Sequence, residues 1–86
     1  VTAYGPRTRG GQVNAAVCDV VVSGMDREHL TLSELARRTG IARTTLQGRL
    51  RARGGPWRVN DLDVIAKGLG SDVVAFAVEL EEVLAR

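Results

Sequence analysis

Leu35-Ala36-Arg37-Arg38-Thr39-Gly40-Ile41-Ala42-Arg43-Thr44-Thr45-Leu46 decides how this chain folds. It reads as the end of one short helix, a glycine corner and the start of a second helix. Gly40 ends the first helix, because only glycine enters the left-handed turn at little steric cost. Leu32, Leu35 and Ala36 face inward from that helix, and Ile41 plugs the corner. Leu46 and Leu50 form the inward i,i+4 pair of the second helix, over about 43–52. The first helix opens at Thr31, whose hydroxyl stands at capping-box spacing from Glu34.

The charge around this unit is one-sided. Between Arg37 and Arg58 there are seven arginines and no acidic residue. Residues 1–58 hold ten arginines against Asp19, Asp26, Glu28 and Glu34, a balance of +6. Residues 59–86 hold Lys67 and Arg86 against Asp61, Asp63, Asp72, Glu79, Glu81 and Glu82, a balance of −4, so the net +2 hides two opposed halves. One half attracts an anion and the other repels it. Arginine outnumbers lysine eleven to one. Its planar donor fork suits phosphate and guanine, although a genome rich in G and C produces the same bias through its codons.

Eighty-six residues allow one small domain. No apolar run approaches the ~20 residues that span a bilayer, and no signal-peptide pattern opens the chain, so a cytoplasmic location is expected. Cys18 is the only cysteine and His29 the only histidine. An internal disulfide and a zinc cluster are therefore excluded, and Cys18 reads as a packed thiol. No nucleophile–base pair, metal cluster or phosphate loop is present, so neither catalysis nor a cofactor is expected.

Residues 1–11 read as a flexible basic arm carrying Arg7 and Arg9. It is either a solvated terminus or an arm that reaches phosphates or a minor groove. The remaining residues, 12–86, read as a single all-α domain of five helices. Helix 1 is expected over 12–24, with Val13, Ala16, Val17, Val20, Val21 and Gly24 on one stripe. The Val20-Val21-Val22 run favours a strand by propensity, but the spacing favours a helix. Gly54-Gly55-Pro56 stops helix 3, and Trp57 reads as a lid over the junction with helix 4. Helix 4 is expected over 59–69, with Leu62, Ile65, Ala66 and Leu69 inward. Ser71 is the expected N-cap of helix 5, over 72–85, with Val73, Phe76, Ala77, Leu80, Val83 and Leu84 inward.

The third helix carries the candidate site. With Arg43 at 0° and about 100° per residue, Leu46 and Leu50 fall near 300° and 340° and mark the buried side. Gln47, Arg51 and Thr44 fall near 40°, 80° and 100°, and with Arg43 they make one arc of long donors and a hydroxyl. Gly48 follows near 140° and leaves room for close approach. Arg43 suits a bidentate pair with guanine, Gln47 with adenine, and Thr44 a thymine methyl or a phosphate. Arg49 and Arg53 point elsewhere and suit flanking phosphates.

The segment from Thr31 to Leu46 resembles the helix-turn-helix of the lambda-repressor/Cro-like phage regulators. Ala36 matches the small residue where the two helices cross, Gly40 the turn glycine, Ile41 the hydrophobic after it and Leu46 the buried residue of the recognition helix. Trp57 to Gly70 resembles the family's fourth helix. The likeness covers about 31–70 well and is looser over helices 1 and 5. The family usually has Ser or Thr where this chain has Ala42, and an apolar residue where it has Arg49. The resemblance implies a compact five-helix domain, with helices 2 and 3 as the helix-turn-helix and double-stranded DNA as partner. It further implies operator binding without cofactor, metal or catalysis. Within the family, the short arginine-rich chain looks most like immunity repressors of phages that infect actinobacteria. On this reading Arg43, Thr44, Gln47 and Arg51 read bases. Thr31, Ser33, Arg37, Arg38, Thr45, Arg49, Arg53 and Arg58 contact phosphates, and Arg7 and Arg9 belong to the arm.

Other readings stay open. An antitoxin or a recombination accessory protein would bind DNA with the same unit. A helical protein–protein adaptor would turn its arginines toward an acidic partner. With Val73 at 0°, a second apolar strip of Val74, Ala85 and Val78 lies near 100–140° on helix 5. It predicts a weak homodimer through Val74 and Val78, or a missing C-terminal domain that covers them.

Overall fold

The Val20-Val21-Val22 run is helical, as its spacing predicts and its propensity does not. The computed structural model describes residues 9–52 and 57–86. In these residues α1 is Arg9–Glu28, α2 Leu32–Thr39, α3 Arg43–Ala52, α4 Val59–Gly68 and α5 Val73–Leu84, and no strand is present. Residues 1–8 of the expected arm, with Arg7, and the position of Arg53 lie outside the described residues, whereas residues 9–11, expected in the arm with Arg9, form the start of α1.

α1 is longer than its expected span at both ends. Gly10 and Gly11 lower helix propensity but do not forbid the helix, and its backbone is helical from Arg9. At the other end, Met25 continues the stripe one turn beyond Val21. The stop comes at His29, which takes a left-handed φ of 54°. His29 N–H donates to the Asp26 carbonyl at 3.2 Å and Leu30 N–H to the Met25 carbonyl at 2.9 Å. That pair of bonds is the Schellman pattern, and Met25 and Leu30 both pack against the core beside it.

The short helices are set by their caps. Thr31 Oγ1 accepts from Glu34 N–H at 3.1 Å. At the other end of α2, Gly40 has φ 75° and donates to the Ala36 carbonyl at 2.9 Å. Thr39 Oγ1 donates toward the Leu35 carbonyl at 2.9 Å and accepts from Ile41 N–H at 3.2 Å, so one hydroxyl ties the helix to its corner. α4 ends through Gly70, also at φ 75°. The N-cap of α5 is Asp72 and not Ser71: its carboxylate accepts from Ala75 N–H at 2.8 Å. Both residue types cap well, and a carboxylate at a helix N-terminus adds a favourable dipole interaction.

The core draws on every helix. Val17, Val20 and Val21 come from α1, Leu35 from α2, Leu46 from α3, Ile65 and Ala66 from α4, with Leu69 just after it, and Phe76 from α5. α1 packs on α5, α2 on α3 and α4, and α4 on α5. Two glycines permit close seams. A Cβ at Gly24 would stand 2.8 Å from Leu69 Cδ1, and one at Gly68 3.0 Å from Thr39 Cγ2. The Cα radius of gyration, 12.1 Å, matches the ~12 Å of a compact chain of this length. Among the described residues no helix is long and apolar enough to cross a membrane.

α5 buries less than its stripe predicts. Phe76 is buried and Leu80 and Val83 are half-buried, but Val73, Ala77 and Leu84 are exposed. Among the described residues, α1 and α4 are the elements that lie substantially against it, and the arc they cover is narrow. Val74 is 70% exposed and Val78 52%. With Val73 and Leu84 they form one apolar face, crossed by Glu81.

Candidate nucleic-acid interface

α3 is held from beneath by Leu46, which is fully buried, and by half-buried Leu50. The opposite arc is open: Arg43, Thr44, Gln47 and Arg51 are all exposed. The roll expected from sequence and the observed burial therefore agree at each of these positions. Gly48 is exposed too, and a Cβ built on it meets nothing within 4 Å. Ala42, the residue before α3, has no side-chain acceptor to offer the first amides of that helix.

Around α3 stand the flanking positions. Ser33, Arg37, Thr45 and Arg58 are exposed. Thr31 Oγ1 accepts from Glu34 N–H and keeps its own O–H to donate. Arg38 Nη1 donates to the Gly68 carbonyl at 3.2 Å, which places a cation at the C-terminal end of α4. The residue as a whole is exposed, so Arg38 ties α2 to α4 and can still face an anion. Among the described residues no ion pair engages Arg37, Arg43, Arg51 or Arg58.

Arg49, expected at a phosphate, stands apart from these cations. Its guanidinium pairs with Asp61 on α4 and lies over the Trp57 ring, 5.6 Å from the centroid. The two paired side chains are only 21% and 19% exposed. A cation held between a carboxylate and an aromatic face is poorly placed to meet the duplex. Arg49 instead fastens α3 to α4, and Trp57 lies against its guanidinium at that seam. The backbone carbonyl of Arg49 also receives the Cys18 thiol at 3.6 Å, so the same residue touches α1. Cys18 is 1% exposed, as expected of a packed thiol.

Sequence reasoning missed Asp61 and Thr39 as parts of this frame. The signal for Asp61 was the charged residue at position 49 on a side of α3 near the core, which needs a buried partner. Thr39 carried no such signal. Asp61, Asp63 and Glu79, which pair with Arg49, Lys67 and Arg27, sit on α4 and α5, and none of them pairs with Arg43 or Arg51 of the arc. Comparison with family models, with curated proteins and with solved structures returned no match to this chain.

Proposed function

We propose that this chain is a sequence-specific double-stranded DNA-binding regulator, most simply a phage-type repressor, with α2, the Gly40 corner and α3 as a helix-turn-helix. The observation that carries the reading is the exposed arc of Arg43, Thr44, Gln47 and Arg51. It is backed by buried Leu46 and flanked by cations, with no carboxylate on α3. Such an arc offers bidentate donors to base edges, while Arg37, Arg38 and Arg58 offer charge to the phosphates. Arg49 serves the same site indirectly by fixing the roll of α3. The proposed location is the bacterial cytoplasm, on DNA.

Selection of bound sites from random duplexes tests the reading directly. A recovered motif is the expected result. Binding to it should weaken with salt, with a slope of log K against log[salt] of roughly −4 to −5 if about five phosphates are neutralised. A slope near zero, or no enriched motif, refutes sequence-specific DNA binding and favours the adaptor.

The apolar face of α5 supports a second copy as partner. Val73, Val74, Val78 and Leu84 are 42–70% exposed on one short helix. A symmetric pair through α5 would place two α3 helices ~34 Å apart, or a multiple, on a palindromic site. Sedimentation of the protein and of Val74→Asp/Val78→Asp, with and without a selected site, tests it. One protein per site, unchanged by the double substitution, refutes the dimer.

A further inference from the structure

Past the first turn of α1, three glycines lie inside the described helices, and two of them have a reason within the chain. At Gly24 a side chain would collide with Leu69, and at Gly68 with Thr39 at the α2–α4 seam. Gly48 has no such reason. It lies mid-way along α3, it is exposed, and nothing stands within 4 Å of where its Cβ would be. Its backbone is helical, so no left-handed turn calls for glycine either. Glycine is the poorest helix former after proline. α3 is short and already carries two adjacent threonines, so alanine at this position would serve the fold better.

We infer that the reason lies outside the chain: the DNA duplex packs directly on the bare backbone of α3 at Gly48. The inference rests on the DNA-binding reading and adds a contact to it. Gly48 stands one turn after Thr44 and about 60° around the helix from Arg51, at the edge of the exposed arc. An α-helix fits the major groove with little clearance. A side chain at this edge would hold α3 away from the bases. The forks of Arg43 and Gln47 would then fall short of bidentate distance. Absence of a side chain is here a positioning device for the residues beside it.

The test uses the intact chain and a duplex selected with the wild-type protein. Gly48→Ala is expected to raise the melting temperature by about 4 °C or more, because alanine is the better helix former. The same variant is expected to bind the selected duplex about tenfold more weakly. Gly48→Leu is expected to lose more affinity than Gly48→Ala while remaining helical by circular dichroism. A stabilised Gly48→Ala that binds within threefold of wild type overturns the inference. Equal losses for alanine and leucine also overturn it, since they would point to stiffening of α3 rather than to contact. Failure of the wild type to select any duplex is a separate result, seen before any variant is compared, and it refutes the DNA-binding reading itself.

Discussion

Replacing Arg49 by alanine separates a structural cation from a DNA-contacting one. Asp61 then loses its partner at a side-chain exposure of only 19%, and Trp57 loses the guanidinium over its ring. A hydrogen bond to a charged group contributes about 1.5–3 kcal/mol. Breaking a fully buried pair costs about 3–5 kcal/mol, but this pair is about one-fifth exposed, so the lower figure is the better guide. A cation–π contact adds about 0.5–1 kcal/mol. The expected loss for Arg49→Ala is therefore about 2–3 kcal/mol, a fall in melting temperature on the order of 10–20 °C for a domain of this size. Urea unfolding of the wild type, Arg49→Ala, Asp61→Ala and the double variant forms a double-mutant cycle. The coupling between the two positions is expected at about 1–2 kcal/mol. Arg49→Met, which keeps the stem without the charge, should recover part of the packing and none of the coupling. A coupling below ~0.5 kcal/mol, with a salt slope of DNA binding shallower by about one in Arg49→Met, would show the guanidinium on a phosphate and refute the pinning of α3.

Other substitutions probe the arc and the frame separately. Arg43→Ala and Gln47→Ala should each cost about 1–3 kcal/mol on a selected duplex and relax one base position, as read by repeating the selection with each variant. Equal losses on random DNA would assign these residues to phosphates. His29→Gly should stabilise by about 0.5–1 kcal/mol, since it removes a left-handed L-residue that costs about 1–2 kcal/mol while adding chain entropy to the unfolded state. A lower melting temperature would contradict that balance. Gly24→Ala should destabilise by about 1 kcal/mol, because the overlap with Leu69 outweighs the gain in helix propensity. A rise in urea midpoint would show that Leu69 shifts without cost.

The parts legible in the sequence are those decided locally. Thr31, Gly40, Leu46 and the three inward residues of α2 each act within one or two turns, and the pattern around them was sufficient. The parts not legible there depend on distant neighbours. Arg49 sits in a run of arginines, and its two contacts come from across a turn on α4 and from Trp57. Its side of α3 sets it apart from Arg51, but nothing local names Asp61 as its partner. A helical projection of α5 shows which residues are apolar but not how narrow an arc α1 and α4 cover, so Val73, Ala77 and Leu84 were assigned inward. Ser71 and Asp72 are both good caps one residue apart, a difference that sequence alone rarely settles. His29 takes a left-handed turn that histidine tolerates better than most residues, yet no sequence rule singles it out.

The contact between Cys18 and the Arg49 carbonyl gives the chain an internal clock. The sulfur is the only thiol in the sequence and is 1% exposed, so a disulfide reagent reaches it only when the structure around it opens. When reclosing outruns the chemistry, the rate of labelling follows the fraction of molecules open at that moment. A duplex that binds only the closed form slows the reaction by a factor of 1 + [L]/Kd. Occupancy of a surface on one side of α3 would thus be timed by a thiol reached through the other, with no probe attached near the bound DNA.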